Sequence, residues 1–195
     1  WIGKMINDFP GQNFICGGEE SYGYMVGDFV RDKDALTSTL IFCDMAAEAK
    51  VNGSSAMHRL IELYRRNGLY KEHLISITKK GKTGAEEISR MMDTFRQNPP
   101  SQFGGEQVII LDDIKSGIRK NLATKKESKI NLPSSNVLQF YTSAGSKISA
   151  RPSGTEPKIK FYISLKSDWN EEKTLKDQQK AQEAQIDSIV KDLTL

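Results

Sequence analysis

Apolar residues recur along this chain with two different periods, and the change from one to the other divides it. Near the start Trp1, Ile2, Met5, Ile6 and Phe9 follow a helical period, and Pro10-Gly11 ends the helix they predict. Phe14-Ile15-Cys16 predicts a short strand that runs into Gly17-Gly18-Glu19-Glu20-Ser21-Tyr22-Gly23-Tyr24. Beyond Arg31-Asp32-Lys33-Asp34, a stripe of Leu36, Leu40, Met45 and Ala49, with Ile41 beside it, predicts a long helix with Asp34 as its N-cap. Asn52-Gly53-Ser54-Ser55 breaks that helix and caps a second, whose Met57, Leu60, Ile61 and Tyr64 share a face and which Asn67-Gly68 stops. Residues 73–80 predict a strand with Ile75 and Ile77 on one side and Leu74 on the other, ahead of a linker over residues 79–82.

After the linker, strands dominate. Thr83-Gly84-Ala85-Glu86 has capping-box spacing and opens a helix carrying Ile88, Met91, Met92 and Phe95, which Asn98-Pro99-Pro100 terminates. Strands follow over residues 107–112, 137–142 and 147–150, the last two joined as a hairpin about Ser143-Ala144-Gly145-Ser146. Ile159, Phe161, Ile163 and Leu165 then alternate with Lys158, Lys160, Tyr162 and Ser164, and an amphipathic helix over residues 171–193 closes the pattern. The order predicts an α+β domain over residues 81–195, an antiparallel sheet covered by two helices. Residues 1–80 hold one convincing strand before their helices, too few for a parallel sheet of their own. They are expected to be the latter part of an α/β domain whose beginning is absent, with a linker.

Composition narrows the picture. With 195 residues, 37% hydrophobic and 27% charged, the chain reads as soluble and globular. No apolar run nears the ~20 residues of a membrane span and the start is no signal peptide, so a cytoplasmic setting without a membrane partner is expected. Cys16 and Cys43 lack metal-ligand spacing and are expected to be reduced, buried thiols. His58 falls off its apolar stripe, His73 is no better placed, and no metal site is expected. A net charge of +3 is too small to argue for nucleic acid. Its local excess (Lys115, Arg119, Lys120, Lys125, Lys126 and Lys129, with Glu127 the one nearby acid) has no interleaved aromatics and predicts a solvated, mobile loop. A non-enzymatic module binding anions or nucleic acid through that segment is the alternative of another class.

Candidate chemistry lies in two loops. In Arg151-Pro152-Ser153-Gly154-Thr155-Glu156-Pro157 an Arg suited to two-pronged bonding of phosphate precedes two hydroxyls and a Gly that frees backbone amides. The two prolines restrict their neighbours and would partly pre-arrange these donors. On spacing alone the same residues describe an ordinary polar turn equally well. Near the start, a strand ending in glycines and the carboxylates Glu19 and Glu20 could present polar groups at the edge of an α/β sheet, or be a turn with exposed acids.

Both loops together, in this order, resemble the alpha-D-phosphohexomutase superfamily (phosphoglucomutase/phosphomannomutase), over essentially the whole chain. Gly18-Glu19-Glu20-Ser21 is similar to that family's sugar-binding loop, and Arg151-Pro152-Ser153-Gly154-Thr155-Glu156-Pro157 to its C-terminal phosphate-binding loop. The resemblance implies the latter part of an α/β/α third domain followed by a fourth domain of TATA-box-binding-protein-like type. It also implies sugar contacts from Glu19, Ser21 and Lys33, and phosphate contacts from Arg151, Ser153, Gly154 and Thr155, none of them a nucleophile.

Family members carry the reactive phosphoserine and an Asp-rich Mg²⁺ loop in earlier domains, and use a sugar bisphosphate as activator. Neither motif occurs in this sequence, so the resemblance implies a part that binds phosphosugar, holds no cofactor and is inactive without the missing N-terminal domains. The Ser21-Tyr22-Gly23 form departs from the Ser-Gly-His of many members and leans toward phosphoglucomutases and phosphopentomutases. The Ser-Gly-Thr-Glu-Pro form is shared with phosphoglucosamine mutase and pulls the other way. Phosphoglucomutase-like activity of the parent protein is therefore expected, with phosphopentomutase, phosphomannomutase and phosphoglucosamine mutase as alternatives.

Overall fold

The computed structural model describes residues 2–19, 22–79 and 81–193. Two compact units divide between Glu62 and Leu63. The first holds α1 (Ile2–Asp8), the antiparallel pair β1 (Cys16–Gly18) and β2 (Tyr24–Val26), α2 (Ala35–Val51) and the start of α3 (Ala56–Asn67). As expected, Asp34 caps α2. Its carboxylate accepts from the amides of Leu36 and Thr37 at 2.9 and 3.0 Å and from the Thr37 hydroxyl. Ser55 Oγ accepts from the His58 amide at 3.1 Å to begin α3, and Gly68 ends it at φ 89°. The first strand lies over Cys16–Gly18 rather than residues 14–16, because Gly17 and Gly18 themselves pair with Met25 and Tyr24.

The apolar stripe expected to bury α2 is largely uncovered. Ala49 is fully buried, yet Leu36 and Leu40 remain 84% and 68% exposed. Apolar residues circle the whole of α2, the pattern of a helix enclosed on all sides, while this unit supplies one short hairpin to it. Cys43 on α2 is exposed rather than buried for the same reason, and Cys16 on β1 is exposed as well.

The second unit holds β3 (Leu69–Thr78), α4 (Gly81–Gln97), β4 (Gln102–Phe103), β5 (Glu106–Asp113), β6 (Ile118–Asn121), β7 (Glu127–Lys129), β8 (Leu138–Thr142), β9 (Lys147–Pro152), β10 (Lys158–Ser167) and α5 (Leu175–Leu193). Its antiparallel sheet runs β3-β10-β9-β8-β5-β6-β7, with β4 paired to β5. This is the expected α+β arrangement of an antiparallel sheet with helices α4 and α5 against it.

Three local expectations change. The strand expected from residue 73 starts at Leu69 and pairs with β10 along its length, from Lys158↔Thr78 to Ser167↔Leu69. That pairing buries Leu69 and seats Ile75 and Ile77 against the second unit's core, so the compact units part between Glu62 and Leu63. Helix α4 starts at Gly81, ahead of the Thr83 capping box, whereas α5 starts after Thr174, whose hydroxyl accepts from the Asp177 amide at 3.2 Å.

The basic segment is not a loop throughout, since it contributes β6 and β7 to the sheet. There Arg119 grips the buried Asp112 carboxylate through Nε and Nη2 at 2.6 and 2.7 Å and lies 5.6 Å over the Tyr141 ring. That hydrogen bonding holds the guanidinium more firmly protonated than an ordinary arginine. Lys120 pairs with Glu127 at 3.5 Å.

One face of the sheet makes the core. Ile159, Phe161, Ile163 and Leu165 on β10, Ile148 and Ala150 on β9, and Leu138 and Phe140 on β8 are buried with Ile88, Met92 and Phe95 of α4 and Ile186, Ile189 and Leu193 of α5. Phe140 meets Phe95 and Phe103 edge-on at 5.8 and 5.4 Å between ring centres. Phe140→Ala is expected to destabilise the chain by about 3–5 kcal/mol, the cost of truncating a fully buried Phe. Urea unfolding followed by Trp169 fluorescence measures it, and a loss below about 1 kcal/mol would show that the cluster closes over the gap.

Candidate functional site

In the first unit, the site grows from the hairpin. Between β1 and β2 the chain turns tightly, with the Glu19 amide donating to the Gly23 carbonyl at 2.8 Å and the Tyr22 amide to the Glu19 carbonyl at 3.2 Å. Tyr22 takes a left-handed φ of 64° at the tip, an uncommon conformation for a residue with a side chain. Lys33 is brought to this turn by its neighbour. Asp34 both caps α2 and donates its amide to the Tyr24 carbonyl at 2.9 Å, so the start of the helix is tied to β2. Hydrogen bonds from the Thr37 hydroxyl and from the Thr37 and Leu36 amides hold the Asp34 carboxyl below the usual carboxylate range.

With its backbone anchored, Lys33 reaches over the turn. Its Nζ lies 3.6 Å from Glu19 Oε1 and 3.7 Å from Asp32 Oδ1. Gly23 makes this possible, because a Cβ there would collide with Lys33 Cδ, come 3.0 Å from Cγ and lie 3.3 Å from Glu19 Oε2. Glu19, Asp32, Lys33 and Arg31 line a cavity of about 570 Å³ together with Gly18 and Met25. Arg31 Nη1 donates to Asn7 Oδ1 at 2.5 Å. The structure thus brings Glu19 and Lys33 together, whereas Ser21 lies outside the described residues. A carboxylate beside an ammonium offers acceptors and donors side by side, the set that neighbouring hydroxyls of a sugar require.

In the second unit, Ser153–Pro157 join β9 to β10 as a hairpin loop closed by the Ser153 amide donating to the Lys158 carbonyl at 2.8 Å. Ser153 Oγ accepts from the amides of Thr155 and Glu156 at 3.4 and 3.3 Å, so the hydroxyl shapes the turn. A Cβ at Gly154 would meet nothing within 4 Å, and the backbone there is open to approach. Arg151, Ser153 and Gly154 line a cavity of about 260 Å³ with Glu156, Lys158, Lys160 and Tyr162. Thr155 is exposed and not part of that lining.

Sequence reasoning missed Lys158, Lys160, Tyr162 and Asp32. The first three were legible in the alternation of β10, whose polar positions share the face of Arg151. Asp32 carried no signal beyond its place next to Lys33. Among the described residues no group of three or more His, Cys, Asp or Glu is arranged to hold a metal ion, and no helix is long and apolar enough to cross a membrane.

Comparison with known proteins yields consistent relatives. Residues 1–64 match the family model for phosphoglucomutase/phosphomannomutase, alpha/beta/alpha domain III. A phosphoglucomutase of Staphylococcus epidermidis is 41% identical over 159 residues, 82% of this chain and 29% of that protein. One of Staphylococcus aureus is 39% identical over 155 residues, 80% of this chain and 28% of its own length. Among solved structures, the open form of the exocytosis-sensitive phosphoprotein pp63/parafusin, a phosphoglucomutase from Paramecium, superposes with a TM-score of 0.53 at 18% identity. That superposition covers 86% of this chain and 29% of the other, and it supports the fold. This chain therefore spans under a third of the length of the relatives it matches.

Gly23→Ala is expected to displace the Lys33 stem and open its contact with Glu19. Lysine ammonium NMR or a crystal structure of the variant checks this, and a Lys33 Nζ still within 4.0 Å of Glu19 would refute the role given to Gly23.

Proposed function

This chain belongs to the alpha-D-phosphohexomutase superfamily, and we propose that it is the sugar-phosphate-binding part of a phosphoglucomutase-like enzyme. The observation that carries the reading is the Glu19–Lys33 pair seated over Gly23, at the turn that resembles the family's sugar loop. Residues 1–62 then correspond to the third domain. The sheet that begins at β3, with its helices, corresponds to the fourth.

In this reading Glu19 accepts from vicinal sugar hydroxyls, Lys33 donates to them, and Ser21 adds a hydroxyl. Arg151, Ser153, Gly154 and Thr155 hold the phosphate that is not being transferred. Holding a substrate's hydroxyls or its resting phosphate restricts where the reacting oxygen can lie, and positioning of this kind supplies much of the catalysis of phosphoryl transfer. The group transferred passes between the sugar 1- and 6-positions through a bisphosphate and a serine outside this chain. When bound in the intact enzyme, Mg²⁺ would supply charge neutralisation for the phosphoryl group. The residues described here offer no donor set for it, and their work is binding and orientation.

Against the alternative of a nucleic-acid-binding module, two of the six basic residues it would use, Arg119 and Lys120, are paired with Asp112 and Glu127. With glucose 1-phosphate, Mg²⁺ and the bisphosphate activator, this chain alone is expected to show no mutase turnover, and measurable turnover would overturn the division of labour. Titration with glucose 6-phosphate is expected to report binding, weakened in Arg151→Ala by about 1.5 kcal/mol or more as a charge-assisted bond is lost. Equal affinity in the variant would remove Arg151 from the phosphate site.

A further inference from the structure

The inward stripe of α5 changes chemistry along its length. Ile186, Ile189 and Leu193 are buried in the core, whereas Gln178 and Gln182 occupy the same stripe in the preceding turns and are 6% and 4% exposed. A buried amide is costly unless its oxygen and its nitrogen are both hydrogen-bonded. Gln178 meets that condition, accepting from the Asn170 amide at 2.9 Å and donating to the carbonyls of Asn170 and Lys173 at 3.1 and 3.2 Å. Gln182 and Gln185 meet it by half. Nε2 of Gln182 donates to the Leu69 carbonyl at 2.9 Å and to Ser167 Oγ at 3.0 Å, and Nε2 of Gln185 donates to the Gly104 carbonyl at 2.7 Å. Those carbonyls can only accept, so they fix the orientation of each amide and leave each Oε1 without a donor among the described residues. Both glutamines line a cavity of about 390 Å³ at the Ser167 end of β10, about 30 Å along that strand from the turn at Ser153.

Charges of both signs border that cavity without meeting. Glu106 and Asp168 bring negative charge and Lys166 and Lys173 positive charge, and no two of them form an ion pair, although Lys71 and Glu183 pair at 2.7 Å elsewhere on the unit. Two of the four are held in place. Glu106 accepts from the Thr142 hydroxyl at 2.5 Å and from Gln185 Nε2 at 3.4 Å. The Lys166 stem runs past Gly145 and Gly68, where added Cβ atoms would lie 3.1 Å from its Cδ and 3.5 Å from its Cε. From this arrangement we propose that the cavity binds a small amino acid as its zwitterion. The ammonium has three N–H donors, for which Gln182 Oε1, Gln185 Oε1 and the free lone pairs of Glu106 supply acceptors. The carboxylate bonds to Lys166. An uncharged polyol would leave Glu106 and Lys166 each without a counter-charge in a partly desolvated site, and a simple amine or carboxylate would answer only one of them. The site shares no residue with the sugar and phosphate contacts proposed above and does not depend on them.

The test titrates L-alanine, L-alaninamide and L-lactate into this chain at pH 7 and follows the side-chain amide signals of Gln182 and Gln185. Alaninamide keeps the ammonium and lacks the carboxylate, while lactate keeps the carboxylate and has a hydroxyl in place of the ammonium. L-Alanine is expected to shift these signals saturably and to bind about tenfold or more tightly than either analogue, the worth of one charge-assisted bond. Glu106→Gln, whose amide oxygen can still accept from Thr142, is expected to weaken alanine by about tenfold or more. The same variant is expected to unfold in urea at the wild-type concentration, which separates loss of the charge from loss of structure. Lys166→Met is expected to bring alanine down to the affinity of alaninamide, and Lys166→Arg to keep the preference. Lys147→Met, which removes a cation that does not line the cavity, is expected to behave as wild type. Equal binding of all the probes, no saturable shift with alanine, or undiminished affinity in Glu106→Gln overturns the proposal.

Discussion

The second unit depends on one geometric constraint, the alternation of β9 and β10 against a single buried face. Ile159, Phe161, Ile163 and Leu165 are sealed beneath α4 and α5, so a slip of one residue would drive Lys158, Lys160 and Tyr162 into an apolar core. The cost of burying unpaired ammonium groups makes that register the only tenable one. From it follow the position of Arg151 opposite Lys160, the closure of the hairpin at Ser153, and the gathering of the cavity's polar groups on one side. Packing on the helical face thus sets the geometry of the proposed anion site on the other.

The first unit works by local ties instead of a core. A glycine at position 23 and the double use of Asp34, as helix cap and as partner of Tyr24, hold Lys33 beside Glu19. Hydrogen bonds within a few residues can order such a turn even where little apolar surface is buried, since each closes a short loop and costs little chain entropy. The exposed apolar circumference of α2 marks the opposite situation, a helix with more apolar surface than its own unit covers. Chemistry and packing are therefore separable here: the site's immediate frame is local, while the burial α2 is patterned for is not met inside the unit.

Placed side by side, the two sites suit different tasks. Glu19, Asp32 and Lys33 present mixed charge, which favours neutral hydroxyls arranged in a specific pattern. Arg151, Lys158 and Lys160 present an excess of positive charge beside an open glycine, which favours an anion whose oxygens can approach the backbone. On the same sheet Arg119 is matched instead to the buried carboxylate of Asp112.

Local pattern sufficed for much of this protein. The N-cap at Asp34, the helix stops at Asn52 and Gly68, the alternation of β10 and the two loop motifs all rest on interactions between residues close in sequence, and each was legible there. The pairing of β3 with β10, and with it the division between Glu62 and Leu63, joins residues far apart in the chain and left no local trace. The same holds for Arg119, read as one cation of a solvated loop until the sheet brought it to Asp112, and for Lys160, which faces Arg151 across the ladder. Sequence alone settled which residues alternate, cap and turn, because short-range sterics and hydrogen bonding decide those matters. Tertiary structure alone decided which charges are matched and which face one another, because that depends on register across strands.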